Sequence, residues 1–303
     1  MMEAAIELKT VSKSYKQRPA VQNLSFEVGA GEMFGFLGPN GAGKTTTIRL
    51  MLGLLRPDAG QVRLLGQEMS SSESQTALAK LGFLPDVARI DGGFSGGEWL
   101  DYLAALQNAA PNPERRNYLC QRLELAQSDL KRKIRAYSRG MRQKLAIIQT
   151  LQHQPALLIM DEPTEGLDPL AKRALFELLA ESRRENGTTV FFSSHILSEV
   201  EKLCDRVALI RVGQLAAIDT IVALRQKMTR RVSISLKEEK LEFEAALQSL
   251  EGVEQLKREA ESWRMGWRGD LNPLLKLLAD WPVRDLTIEP ADLEDVFLSY
   301  YRV

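Results

Sequence analysis

Cysteine and histidine are scarce, with two of each in 303 residues. Cys120 and Cys204 lie far apart with no metal-ligand spacing, and two histidines cannot complete a Cys/His zinc site. A reducing, cytosolic compartment is expected. Net charge is missing as well: forty Lys and Arg offset forty Asp and Glu, which leaves no overall basic field to gather nucleic acid or anionic lipid. The balance also holds locally, with 13 basic against 15 acidic side chains in residues 225–303. No run approaches the roughly 18–20 consecutive apolar residues of a membrane span. The opening MMEAAIELKT carries Glu3 and Glu7 where a signal peptide would be apolar. Work at a membrane would therefore need a partner.

What is present is an ordinary folding composition, 44% hydrophobic and 26% charged, in a length that suits two domains at about 150 residues each. From Ile6 to about Leu224, short aliphatic or β-branched runs alternate with helical stretches, the pattern of an α/β domain with a largely parallel sheet. Its clearest strands are Met33–Leu37, Leu157–Met160 and Thr189–Phe192, continuous apolar runs that suit burial on both faces. After Leu224 the basic segment RQKMTRR reads as a solvated connector, giving domains 1–224 and 225–303. The second reads strand 232–236, helix 240–251, strands 253–259 and 262–268, helix 270–281 and strand 283–289, a ferredoxin-like βαββαβ order in a small α+β unit. A last helix from about Asp292 would align Leu293, Val296, Phe297, Tyr300 and Tyr301 in one apolar stripe.

Two motifs carry chemistry by themselves. Gly38-Pro39-Asn40-Gly41-Ala42-Gly43-Lys44-Thr45 matches GxxxxGK[ST] between a strand and a helix-forming stretch, the context it requires. Gly38, Asn40, Gly41, Ala42 and Gly43 would curl the backbone so that successive N–H groups face phosphate oxygens, reinforced by the helix N-terminus. Lys44 would reach the β- and γ-phosphates, Thr45 would offer a hydroxyl to Mg²⁺, and Thr46 would contact the α-phosphate. Further on, the apolar strand LLIM ends in Asp161-Glu162-Pro163-Thr164, delivering two carboxylates to the carboxyl edge of the sheet. Asp161 would hold Mg²⁺ through its water shell, and Glu162 would serve as general base toward an attacking water.

Tyr137-Ser138-Arg139-Gly140-Met141-Arg142-Gln143-Lys144 resembles the signature sequence of the ATP-binding-cassette (ABC) ATPases, and Ser138 precedes Asp161 by 23 positions. With Gly166-Leu167-Asp168 and with His195 in SSHILSEVE, residues 4–224 resemble the nucleotide-binding subunit of an ABC transporter. The resemblance implies a P-loop ABC ATPase domain with a helical subdomain, ATP and Mg²⁺ as ligands, and a catalytic set of Lys44, Glu162 and His195. It places His195 at the γ-phosphate, Tyr15 stacked on adenine, and Asp86 of GFLPD near the metal. It also implies a homodimer in which two ATP molecules are sandwiched between the phosphate loop of one copy and Ser138 and Gly140 of the other, with Asp168 bridging the halves. Separately encoded permease subunits, of export type, would hold the dimer on the inner face of the cell membrane. YSxGMxQ and the tail IEPADLEDVFLSYY resemble the drug-resistance and polysaccharide-export branch.

Arg139 and Met141 depart from the family's glycine and glutamine. Ser95-Gly96-Gly97-Glu98 copies the family consensus more closely but lies 66 positions before Asp161, and it reads as the N-cap of a helix through WLDYLAAL. His153 reads as an ordinary packed histidine. Rival readings are a cassette protein that acts without transport and a nucleotide sensor that barely hydrolyses.

Overall fold

The computed structural model describes residues 4–71, 74–87, 90–107, 112–226, 229–238, 242–259 and 261–289. Two compact units emerge, Met1–Ile218 and Asp219–Val303, so the division falls slightly ahead of Leu224.

In the first unit, strands Arg206–Arg211, Met33–Leu37, Thr189–Ser194, Leu157–Asp161 and Leu81–Leu84 lie side by side in that order, all parallel, with Gln214–Thr220 at the edge. Every residue of MFGFL, LLIMD and TVFFSS is buried, as strands covered on both faces require. The strand order turns at Met33–Leu37, which lies between strands that come much later in the chain. Ligands of open parallel sheets gather outside the carboxyl ends of strands at such a point, and all three central strands deliver their loops there.

A second sheet in this unit is antiparallel, pairing Ala4–Tyr15 with Arg18–Gly29 and with Ala59–Leu64. Both sheets and helix Lys44–Met51 share one core, in which Phe26 lies 5.5 Å from Phe34 and Phe36 lies 5.3 Å from Phe191 between ring centroids. Each buried ring contributes about 2 kcal/mol, enough to fix the strand from which the phosphate loop departs. Between strands Leu81–Leu84 and Leu157–Asp161 the chain makes a helical region of Gly96–Leu106, Pro113–Arg122, Gln127–Leu130 and Arg139–Leu151. Ser95 starts the first of these: its Oγ accepts from Glu98 N and the Glu98 carboxylate accepts from Ser95 N, a reciprocal capping box.

The second unit is βαββαβ, with strands Arg230–Leu236, Val253–Glu259, Ser262–Trp267 and Val283–Glu289 and helices Glu242–Gln248 and Asn272–Ala279. Its sheet runs second, third, first, fourth, with every neighbouring pair antiparallel, the ferredoxin-like arrangement read from the sequence. Trp263, Met265 and Trp267 alternate inward and pack with Phe243, Leu247, Leu274 and Leu278. The stripe from Leu293 to Tyr301 lies outside the described residues. No helix among the described residues is long and apolar enough to cross a membrane.

Candidate functional site

The loop after Met33–Leu37 enters helix Lys44–Met51 through Gly43, whose φ of 109° lies in the left-handed region. A side chain there would be strained, and its Cβ would come within 2.6 Å of the Ala20 carbonyl. Gly38 is fixed by space: a Cβ would lie 2.5 Å from Ile210 O. The helix has no side-chain cap and no acidic residue in its first turn, which leaves its leading N–H groups and positive end for an external anion.

Lys44 is buried, 6% exposed. Its ammonium donates to Gly38 O at 2.6 Å and Pro39 O at 3.2 Å and pairs with Glu162 Oε1 at 3.1 Å. Three protein oxygens therefore surround a cation that would be costly to bury alone. Beside it, Thr45 Oγ1 donates to Asp161 Oδ2 at 2.8 Å, and Ser193 Oγ donates to Asp161 Oδ1 at 2.6 Å. Burial pushes the Asp161 carboxyl up; the Ser193 and Thr45 hydroxyls oppose that shift, and the charges of Asp86 and Glu162 add to it.

Glu162 follows with φ 50°, a left-handed conformation held by its N–H, which reaches both the carbonyl and the hydroxyl of Ser193 at 3.2 Å. The Glu162 carboxylate is shared between two partners. Oε1 lies on Lys44, while Oε2 lies 2.8 Å from His195 Nδ1 and accepts from His195 N at 3.3 Å. The backbone strain sits at a residue aimed into the cleft, where such strain is commonly found.

The cleft encloses about 660 Å³ and brings together Asn40, Gly41, Gly43, Lys44, Thr45, Thr46, Asp86, Glu162 and His195. Ala20 and Glu165 line it too, and the sequence reading missed both. Gly38 and Ala42 lie in the same loop behind the lining, with Ala42 buried. Asp161 is buried under Thr45. The missed Ser193 is its partner in register across parallel strands, Asp161↔Ser193.

Besides Gly38, Ala42 and Asp161, four more expected residues stand outside this lining. Tyr15 ends the first strand, 44% exposed. Ser138 caps helix Arg139–Leu151, its Oγ accepting from Met141 N at 3.2 Å, with Gly140 in the first turn. Asp168 caps helix Pro169–Asn186. The Ala171 N–H bonded to Asp168 holds its carboxyl below the ordinary range, with the charge of Lys144 assisting. The Ser138 end of its helix is nevertheless tied to the loop after Glu162: Gln143 Nε2 donates to Pro163 O at 3.0 Å, Arg139 pairs with Glu165, and Lys144 lies 3.7 Å from Asp168.

The ABC transporter family matches residues 21–165. An ABC transporter ATP-binding protein of Bacillus subtilis is 39% identical over 220 residues, 73% of this chain and 71% of that protein. The Nod factor export ATP-binding protein I of Paraburkholderia xenovorans is 39% identical over 226 residues, 72% of this chain and 71% of its own length. Among solved structures, an ATP-binding subunit of an ABC transporter superposes with a TM-score of 0.67 at 28% identity, over 74% of this chain and 92% of that one.

Proposed function

This chain belongs to the ABC transporter family of ATP-binding proteins and is an ATPase, and on that premise we propose that two copies clasp two ATP molecules and drive a separately encoded membrane permease. The observation that carries the reading is a division of parts. Lys44, Thr45, Glu162 and His195 meet in one cleft, while the Ser138 helix start, the second anion-seeking feature, lies outside that lining.

The triphosphate would take the uncapped N-terminus of helix Lys44–Met51, with Lys44 exchanging its carbonyl partners Gly38 and Pro39 for phosphate oxygens. Thr45 and Asp161 present hard oxygen donors side by side, the set that suits a small divalent cation; Asp86 faces the same cleft. Mg²⁺ held there would neutralise phosphate charge. Glu162, released from Lys44 by the incoming phosphates, would accept the proton of the attacking water, and His195 would orient both through its contact with Oε2. Ser138 and Gly140 of the second copy would complete the γ-phosphate site, with Asp168 at the seam and Tyr15 against adenine. Cleavage removes the bridging contact and lets the copies part.

The named exporter relative and the YSxGMxQ pattern support export, with the chain held at the cytoplasmic face of a membrane by the permease. Residues 225–303 would form an accessory domain that steadies or regulates the pair.

Nucleotide binding and steady-state hydrolysis test this reading. Lys44→Ala is expected to abolish ATP binding. Glu162→Gln should keep binding and lower turnover by roughly a hundredfold, in the range of general-base removal. Equal turnover in wild type and Glu162→Gln would remove the assignment.

A further inference from the structure

One buried carboxylate plays no part in the chemistry above. Glu199, in helix Leu197–Leu203, is 6% exposed. Its Oε2 accepts from Thr164 Oγ1 at 2.7 Å and from Ser194 Oγ at 3.2 Å, and its Oε1 accepts from Lys172 Nζ at 3.0 Å. Thr164 and Ser194 are themselves buried.

The two hydroxyls mark the ends of the machinery. Thr164 lies two residues beyond Glu162 in the turn that leaves strand Leu157–Asp161. Ser194 directly precedes His195 and ends strand Thr189–Ser194, and its carbonyl accepts from Gly38 N, at the start of the phosphate loop, at 3.3 Å. Lys172 belongs to helix Pro169–Asn186, which Asp168 caps. A single carboxylate thus joins the segments that carry Glu162, His195 and Asp168.

Stability alone gives little reason for this arrangement. Burying the Glu199 carboxylate costs desolvation that Lys172, itself 33% exposed, offsets only in part, and apolar replacements of such buried charges are often neutral or stabilising. A carboxylate supplies direction instead: it accepts from two hydroxyls at one oxygen and so sets the separation of their backbones, which a methyl cluster cannot do. A base and its orienting histidine need positions held within fractions of an ångström.

We propose that Glu199 is a positioning residue for hydrolysis, holding Glu162 and His195 at their working separation through Thr164 and Ser194. The proposal rests on Glu162 acting as base.

The test uses the full chain with Mg-ATP, measuring turnover and nucleotide affinity separately. Glu199→Gln is expected to lower kcat about tenfold, equivalent to about 1.4 kcal/mol, with Kd for ATP within about twofold of wild type. Unchanged kcat, or an equal loss of affinity and kcat, would overturn the proposal. In a Glu162→Gln background, Glu199→Gln should change the residual rate by less than about twofold, since residues acting as a unit are not additive; a second tenfold loss would overturn it. Equal turnover in wild type and Glu162→Gln alone would instead remove the base assignment, and this proposal with it. If Glu199→Gln fails to fold, Thr164→Val and Ser194→Ala carry the test. Each should reduce kcat about threefold with Kd unchanged, and full kcat in both would overturn the role.

Discussion

Two helix starts in this chain look alike in sequence and differ in what they leave open. Ser95-Gly96-Gly97-Glu98 closes on itself: Glu98 sits at the third helical position, returns its carboxylate to Ser95 N at 2.6 Å, and is held further by Lys133 at 3.1 Å. Ser138-Arg139-Gly140-Met141 has the serine cap but a methionine at that third position and no acid in its first turn. Arg139, with the dipole against it, pairs with Glu165 of the neighbouring loop. Resemblance to the family consensus alone would select the first site. Spacing from Asp161 decides otherwise, 66 positions against 23, and the fourth residue sets what each end adds to its serine cap: a carboxylate at Glu98 and none at Met141.

Exchanging that residue is the largest way to break the contrast. Met141→Glu supplies the missing acid and should close the Ser138 end with its own capping box, placing a negative charge where a γ-phosphate is expected. Hydrolysis should fall roughly a hundredfold, the scale of losing a transition-state donor, while single copies still bind ATP. Unchanged turnover in a steady-state assay would deny Ser138 and Gly140 a place at the nucleotide.

The complementary change opens the other end. Ser95→Ala removes the cap and should cost about 1 kcal/mol of stability, read by denaturant unfolding, with kcat unaltered. A loss of hydrolysis without a loss of stability would mean that the more consensus-like motif had been set aside wrongly.

The smallest effect is electrostatic. The Ser95 N–H, then the Ser95 hydroxyl and Lys133, hold the Glu98 carboxyl down at about 2 against an ordinary 4.5. A carboxylate lowered on folding contributes stability that is fully present above its unfolded pKa, here about 4.5, and is lost as pH falls through about 2. A carboxyl titration followed by NMR should find that depressed midpoint, and an ordinary midpoint near 4.5 would show that the box is open in solution.

The same contrast explains what could be read ahead of the structure. Strands such as MFGFL were legible because burial on both faces leaves an uninterrupted apolar run. The antiparallel sheet escaped naming: the pairing of Ala4–Tyr15 with Arg18–Gly29 shifts register repeatedly, and Thr10 and Asn23 take positive φ, which blurs the two-residue period. Within the cleft, Lys44, Thr45, Asp161 and Glu162 announce themselves because phosphate and metal chemistry demands those residue types at short, fixed offsets. Ser193 meets Asp161 through strand register, and Glu199 meets Thr164 through packing of distant segments. Neither relation leaves a local trace. The left-handed turn at Glu162 is likewise invisible where no glycine marks it.

Sedimentation of the Glu162→Gln variant with and without Mg-ATP tests the clasp of two copies most directly. A species of twice the 34.0 kDa chain mass that forms only with nucleotide, and that Met141→Glu prevents, is the result predicted here. A particle of single-chain mass at saturating Mg-ATP would contradict it.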